Sequence, residues 1–164
     1  MVASDTKFTS RQFRDALSSF VTGVTVVTCL DSQGKKAGIT VNSFNSVSME
    51  PPLILWSINK SAHNAAVFAH AERFAINILS DQQAHLSNQF ARPSADKFAD
   101  VSFRSGLGKV PLLADSITCF QCRRWAVYNG GDHDIIVGQV EALETSFRSG
   151  LVFYRGGYAT VTST

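Results

Sequence analysis

The stretch SITCFQCRRWAVYNGGDHDIIVGQVEALET, residues 116–145, decides the fold because it joins two long β-rich runs through one tight turn. Branched and aromatic residues dominate both runs, residues 116–128 and 133–145, as is typical of strands. The four residues between them, Asn129 to Asp132, read Asn-Gly-Gly-Asp and form the strongest hairpin signal in the chain. The stretch therefore predicts a pair of long antiparallel strands.

Shorter β-rich segments on both sides of this hairpin extend the pattern. GVTVVTCL and KAGITVNSF flank the turn-rich DSQGK and predict a second hairpin, whereas LILWSI and residues 74–79 predict buried strands. The final run, LVFYRGGYATV, predicts one strand interrupted by Gly156 and Gly157. Many short strands without regularly alternating helices favour an α+β antiparallel barrel over a doubly wound parallel sheet.

The amino-terminal segment from Thr9 to Phe20 predicts a helix. Thr9 and Gln12 have the spacing of a capping box, in which each side chain binds the other residue's backbone N–H. Apolar residues recur at helical spacing, so we expect them to form a stripe that packs on a sheet. The stripe comprises Phe13, Ala16, Leu17 and Phe20.

Two further segments predict helices. Residues 61–70 carry a narrow face of small residues, which favours close packing on a flat surface. Ser80 and Gln83 form a second capping-box pattern before a short helix through Phe90, and residues 91–100 predict a surface loop. The small-residue face comprises Ala62, Ala65, Ala66 and Ala69.

Composition narrows the class of protein. The chain has 164 residues, of which 45% are hydrophobic, and this is typical of one ordinary domain spanning residues 1–164. Its 15 Lys and Arg are offset by 13 Asp and Glu, so the sequence argues against a nucleic-acid or membrane-surface partner. No window approaches a membrane span, and MVASDTKFTSRQ has no apolar run after a basic start. We therefore expect a cytoplasmic protein.

Familiar catalytic and metal motifs do not account for this chain. Gly106 and Gly108 begin a glycine pattern, but Pro111 stands where a dinucleotide fingerprint needs its third glycine. The turn at Asn129 to Asp132 explains the acidic residues around His133 better than a metal site does, so we expect no metal.

The cysteines are predicted to be packed thiols. Cys119 and Cys122 form a C-x-x-C pattern, but they lie within a β-rich run. Residues three apart on a strand point to opposite faces, which disfavours a redox pair or half of a zinc site. With Cys29 the cysteine count is odd, so a disulfide framework is not expected.

Polar residues in residues 38–63 suggest a ligand site. Residues with hydroxyl and amide side chains are interspersed among the apolar residues of the predicted strands. These groups could hydrogen-bond the edge of a heteroaromatic ring. A serine at a helix amino terminus beside a lysine could hold a phosphate. Turn formation and helix capping explain the same residues equally well. The set comprises Thr40, Asn42, Ser43, Ser46, Ser48, Ser57, Asn59, Lys60 and Ser61.

The sequence resembles the short-chain flavin reductases, which supply reduced flavin to two-component monooxygenases. The resemblance runs from about Phe13 to Tyr158, and several ordered motifs carry it. The family resemblance implies a split β-barrel that binds FMN or FAD, usually as a homodimer with the flavin near the subunit interface. The motifs are FRDALSSFVTGVTVVT, GITVNSFNSVSMEPPLILWSINKSAHNAAVF, FAINILSDQQAHLSNQFA, GDHDIIVGQV and LVFYRGGY.

The same resemblance implies roles for particular positions. Residues 40–43 match the part that holds the isoalloxazine edge, and residues 57–61 with His63 match the part around the ribityl chain and phosphate. Gly131 to His133 match a Gly-Asp-His motif whose histidine borders the nicotinamide. The implied flavin-binding residues are Thr40, Val41, Asn42, Ser43, Ser46, Ser57, Ile58, Asn59, Lys60, Ser61, His63, Phe90 and Ala91, and the implied NAD(P)H-binding residues are His133, Tyr154 and Tyr158.

The resulting hypothesis is an NAD(P)H:flavin oxidoreductase with FMN or FAD and NADH or NADPH as cofactors. The cofactors carry the hydride chemistry themselves, so we expect no catalytic acid or base. One alternative keeps the fold but makes the protein a flavin carrier without turnover. Another is a non-enzymatic β-barrel that binds oligonucleotides. Its best candidate surface is Arg123, Arg124, Trp125 and Tyr128.

Overall fold

The computed structural model describes residues 7–162, which form mainly antiparallel β-strands and three short α-helices. Their bounds are α1 Ser10–Leu17, β1 Thr22–Gly23, β2 Thr25–Leu30, β3 Lys36–Val41, β4 Asn45–Met49, β5 Pro52–Asn59, α2 Ala65–His70, β6 Arg73–Ile78, α3 Ala84–Ala91, β7 Phe103–Ser105, β8 Pro111–Leu113, β9 Thr118–Gly130, β10 His133–Thr145, β11 Leu151–Tyr154 and β12 Gly157–Thr160.

A seven-stranded sheet organises the fold, in the order β3-β2-β6-β9-β10-β5-β4. Every neighbouring pair is antiparallel, which confirms the predicted mainly-β antiparallel architecture. The predicted hairpin is β9–β10, in which His133 pairs with Gly130 around a turn of Gly131 and Asp132. Gly131 has a φ of 80°, which glycine adopts readily. Each strand of this hairpin is 13 residues long.

Two smaller sheets flank the large one, with orders β1-β11-β12 and β7-β8. The first corrects the sequence prediction for the carboxy-terminal run, which was expected to be a single interrupted strand. Residues 151–160 instead fold back on themselves as the β11–β12 hairpin, with Phe153 opposite Tyr158. Its turn contains Arg155 and Gly156, at φ values of 46° and 80°. Two adjacent left-handed residues reverse the chain where the prediction continued it.

The large sheet is buried on both faces over its centre. Val26 and Val27 are successive residues of β2 and are both fully buried, yet they belong to different clusters. Successive strand residues point to opposite faces, so one cluster lies on each side of the sheet. The first contains Trp56, whose ring meets Phe68 edge-on at 5.4 Å. The second contains Phe90, which meets Phe98 at 5.0 Å.

Helix α1 begins as predicted, but its packing prediction is wrong. Thr9 and Gln12 form both hydrogen bonds of the capping box. The apolar stripe does not pack on a sheet, because 52% of Phe13, 58% of Leu17 and 74% of Phe20 remain exposed. Periodicity identified the apolar face, but no element of the described chain covers it.

Helix α2 corrects two expectations. It begins at Ala65 with Asn64 as its N-cap, so Ser61 is not the cap of a helix. Its buried residues are Ala65 and Phe68, whereas Ala66 on the predicted alanine face is exposed. Ala65 and Phe68 are three residues apart and share one helix face, so the buried face includes an aromatic residue and is not the alanine face alone.

The segment that leads into α3 follows the prediction. A 3-10 turn over Asp81–Gln83 precedes α3, and Gln83 Oε1 accepts a hydrogen bond from the Ser80 backbone N–H at 3.0 Å. None of the helices within residues 7–162 has the length and apolar character needed to cross a bilayer. The predicted unit of residues 1–164 includes residues 1–6 and 163–164, which lie outside the described residues.

Candidate functional site

A cavity of about 510 Å³, here called the first cavity, opens where the ends of β3 and β5 meet the β9–β10 turn. This volume lies within the range of small-molecule and cofactor sites. Its lining combines apolar residues with hydroxyl, amide and imidazole groups, which suits a planar and partly polar ligand. The lining comprises Ile39, Thr40, Val41, Asn42, Ser43, Ser57, Ile58, Asn59, Ala62, Gly130, His133 and Ile135.

Ser43 holds one wall of the cavity together. Its Oγ donates to the Ser57 carbonyl at 3.1 Å and accepts from the Ser57 N–H at 2.9 Å. Because Ser43 follows the edge strand β3 and Ser57 lies in β5, these bonds bring one edge of the large sheet close to a strand near its other edge. The Ser43 hydroxyl satisfies the backbone N–H and carbonyl of Ser57 in place of a neighbouring strand. A polar side chain at position 43 is therefore part of the local structure.

Thr40 forms the second anchored wall. Its Oγ1 donates to the Ser87 carbonyl on α3 at 2.7 Å, which leaves the hydroxyl's lone pairs as acceptors. The Tyr158 hydroxyl donates to Ser87 Oγ at 2.7 Å. Helix α3 therefore links the cavity wall to the three-stranded sheet β1-β11-β12. Tyr158 itself does not line the first cavity.

His133 stands at the mouth of the first cavity as the first residue of β10, opposite Asn59. Its Nδ1 lies 2.7 Å from Asp132 Oδ1. The hydrogen bond from His133 holds the pKa of the Asp132 carboxyl below its ordinary value. An ionised carboxylate accepts only, so Nδ1 of His133 donates in this hydrogen bond.

Two neighbouring cavities extend the first into a groove. The second cavity, about 720 Å³, shares Ile39 and Ala62 with the first and adds Ser61, His63 and Ala91. The third, about 660 Å³, shares His63 with the second and reaches the β2–β3 turn. A ligand longer than the first cavity could therefore continue along the groove.

The sequence analysis missed Lys97, which lines the second and third cavities. Its ammonium donates to the Phe90 carbonyl at 2.8 Å and to the Gly38 carbonyl at 3.3 Å. Partial burial lowers the pKa of Lys97. The segment 91–100 was predicted only as a surface loop, but its one aromatic residue, Phe98, is buried and anchors it. That aromatic residue in a polar segment was the available signal.

The predicted site residues divide into groups by location. Those at the first cavity are Thr40, Val41, Asn42, Ser43, Ser57, Ile58, Asn59 and His133, and those at the second cavity are Ser61, His63 and Ala91. Ser46 is exposed on the edge strand β4, outside both linings. Phe90 is fully buried in the cluster that contains Phe98, and its side chain is not among the lining of either cavity. Tyr154 and Tyr158 lie on the small sheet.

The Lys60 side chain lies against the β9–β10 turn, a position that the sequence did not suggest. Its ammonium donates to Asn129 Oδ1 at 2.5 Å and to the Gly131 carbonyl at 2.6 Å, and it lies 3.9 Å from Asp134 Oδ1. All three acceptors belong to the β9–β10 hairpin. The side chain therefore joins β5 to this hairpin, and Lys60 is absent from the lining of both cavities.

The cysteines are packed thiols, as predicted. Cys119 and Cys122 lie in different clusters, as expected for residues that point to opposite faces of β9. Burial raises the pKa of Cys29 and of Cys122 to about 12, so both stay protonated and unreactive near neutral pH. All three cysteines are free.

The arginines of the oligonucleotide alternative already have protein partners. Arg123 Nε pairs with Glu141 at 2.9 Å, and Arg124 donates to the Ala69 carbonyl. These contacts use both cations for ion pairing and packing, which disfavours the oligonucleotide alternative.

Comparison with known proteins gives a consistent result. The family described as "Flavin reductase like domain" matches residues 17–162. The reductase component of a flavin-dependent trigonelline monooxygenase from Acinetobacter baylyi is 45% identical, over 92% of this chain and 48% of that protein. The FMN reductase (NADH) SmoA of Agrobacterium fabrum is 44% identical, over 91% of this chain and 84% of that protein.

A solved structure gives the same match in three dimensions. The NADH:FAD oxidoreductase SgcE6 of Streptomyces globisporus, in complex with NAD and FAD fragments, superposes with a TM-score of 0.88 at 34% identity. The match covers 93% of this chain and 92% of that one. Two curated relatives are longer, and this chain spans about half of their length, 49% and 48%.

Proposed function

Because this chain belongs to the flavin reductase like domain family, we propose that it catalyses the reduction of FMN or FAD by NADH or NADPH. The observation that carries the proposal is the first cavity, where hydroxyl, amide and imidazole groups from three separate segments converge around apolar residues. A binding site for a planar heteroaromatic ring needs this combination of a flat apolar lining and edge hydrogen bonds.

The residues of the first cavity fit a flavin. Ile39, Val41 and Ala62 offer apolar contact, while Thr40 keeps acceptor capacity and Asn42 carries an amide at the rim. The ribityl and phosphate end would extend along the groove toward Ser61 and His63 in the second cavity. We keep FMN and FAD as alternatives, because the groove continues beyond these residues into the third cavity.

The chemistry supplied by a bound flavin is acceptance of a hydride at N5 from C4 of a reduced nicotinamide. The protein's contribution is to hold the two rings together and to exclude water. His133 would orient the nicotinamide from the cavity mouth, where its hydrogen bond to Asp132 holds the ring. The resemblance also assigns Tyr154 and Tyr158 to the nicotinamide side. Both lie on the three-stranded sheet β1-β11-β12, so they would contact the nicotinamide only at the edge of the site.

Architecture and assembly follow the same proposal. We propose that residues 1–164 form one domain whose large sheet is a split β-barrel, which the Ser43–Ser57 bonds between β3 and β5 support. We also propose a homodimer, because the exposed apolar stripe of α1 is the kind of surface that self-association buries.

The reduced flavin would pass to a partner monooxygenase. Free thiols favour a reducing compartment such as the cytoplasm.

The test is anaerobic rapid mixing of the protein and FMN or FAD with NADH or NADPH. We expect the absorbance of oxidised flavin to disappear rapidly with at least one flavin and nucleotide pair, and only slowly when the protein is omitted. Flavin that binds but is not reduced would support the carrier alternative instead. A protein that neither binds nor reduces flavin would exclude both.

A further inference from the structure

We propose that Lys60 is a positioning residue that fixes the β9–β10 turn, and with it His133, at the mouth of the first cavity. This inference rests on the proposed function, because it assigns Lys60 to the nicotinamide side of the site. It replaces the expectation that the Lys60 ammonium holds the flavin phosphate.

The contacts of Lys60 surround the turn. Its backbone N–H donates to the Asp132 carbonyl at 2.9 Å, while its ammonium reaches Asn129 Oδ1 at 2.5 Å and the Gly131 carbonyl at 2.6 Å. Lys60 thus contacts Asn129 near the end of β9 and both central residues of the turn. Hydrogen bonds from an ammonium are stronger than those between neutral groups, so the side chain restrains the turn more than a neutral donor would.

Charge gives a second reason for Lys60 to stay on the hairpin. Asp132 and Asp134 flank His133, and Lys60 lies 3.9 Å from Asp134 Oδ1. The attraction of Lys60 also contributes to lowering the pKa of Asp132. A phosphate that recruited the ammonium would have to break these contacts and draw Lys60 away from Asp134.

The position of His133 makes this restraint relevant to the reaction. His133 pairs with Asn59, the residue immediately before Lys60, and its ring is oriented by Asp132 within the same turn. A shift of the turn would therefore move the imidazole without disturbing the opposite wall at Thr40 and Ser43. Misplacing an orienting group slows a reaction without abolishing ligand binding on the other wall.

The experiment compares Lys60→Met, which keeps the aliphatic stem, with Lys60→Arg, which keeps the charge and the donors. Lys109→Met is the matched control, since Lys109 is an exposed lysine on the turn before β8. Dissociation constants for FMN and riboflavin are measured by flavin fluorescence. Anaerobic flavin reduction is then followed against NADH and NADPH concentration.

We expect Lys60→Met to raise the nucleotide concentration for half-maximal reduction by about tenfold, while FMN and riboflavin affinities change by less than about twofold. Lys60→Arg should recover most of the loss, and Lys109→Met should match the unmodified protein. Asn129→Ala removes one acceptor from the opposite side and should give the same pattern at about threefold. This variant tests the inference even where Lys60→Met does not fold.

A double-mutant comparison separates positioning from a general structural effect. In a His133→Ala background, Lys60→Met should add little further loss, because the group it positions is already absent. Additive losses would overturn the inference, and so would a loss confined to FMN over riboflavin, which would place the ammonium on the phosphate. If the unmodified protein reduces no flavin with either nucleotide, the proposed function itself fails, and this inference fails with it.

Discussion

Helices α1 and α3 are both eight residues long and both carry apolar residues at helical spacing, yet only α3 is covered. Phe90 of α3 is fully buried, whereas Phe13 of α1 is 52% exposed. The difference shows that helical periodicity identifies an apolar face but not the surface that covers it. In α3 the cover comes from the sheet, whereas in α1 Phe13 meets the half-exposed ring of Phe8 at 5.5 Å and stays half-exposed itself.

The cover of α3 depends on a glycine in the sheet. Phe90 packs directly over Gly38 of β3, where an added Cβ would lie 2.4 Å from Phe90 Cε1. The absence of a side chain at Gly38 therefore creates the space that the aromatic ring fills. No such match exists for the α1 stripe within the described chain.

The largest expected effect is on the covered helix. Phe90→Ala should lower the free energy of unfolding by about 3–5 kcal/mol, because it removes a fully buried ring and leaves a cavity against Gly38. Urea unfolding followed by circular dichroism measures the change. A loss below about 1 kcal/mol would mean that the second core rearranges to fill the space, and the contrast between the helices would then be much weaker.

The next largest effect on stability is expected where α3 contacts the three-stranded sheet β1-β11-β12. Tyr158→Phe should cost about 1–2 kcal/mol of stability, because Ser87 Oγ is buried and loses its hydrogen-bond donor. Flavin affinity should stay unchanged, since Tyr158 does not line the first cavity. Parallel urea unfolding and FMN titration check both parts. A weaker FMN affinity at unchanged stability would show that the tyrosine contacts the ligand directly.

The smallest effect on stability is expected at the uncovered helix. In the monomer, Phe13→Ala should change the free energy of unfolding by less than about 0.5 kcal/mol, as is usual for exposed positions. If α1 packs on a second copy, the same substitution should instead raise the dimer dissociation constant by about tenfold.

Sedimentation measurements across a concentration series distinguish these two effects, with the 17.8 kDa chain as the monomer reference. A stability loss as large as that of Phe90→Ala would show that α1 packs on its own chain. A particle of monomer mass at every concentration would contradict the proposed homodimer.

Two segments of the candidate site carried a local signal in the sequence. Residues 40–43 and residues 57–59 were each singled out because polar residues interrupt otherwise apolar strands there. The structure brings both segments to the first cavity. Strands β3 and β5 are not neighbours in the large sheet, so the two segments meet through the Ser43–Ser57 hydrogen bonds, which no local signal predicted. The groove residue Lys97 was missed because its partners, Gly38 and Phe90, come from other elements.

The sequence by itself determined the mainly-β class, the β9–β10 hairpin and the capping box of α1, because turn chemistry, strand periodicity and capping depend on residues close together in the chain. Only the tertiary structure decided which apolar faces are covered and where long side chains find their partners. Lys60 binds a residue 69 positions away, and Tyr158 binds one 71 positions away. No local pattern encodes such contacts, because they arise only when the sheet brings distant segments together.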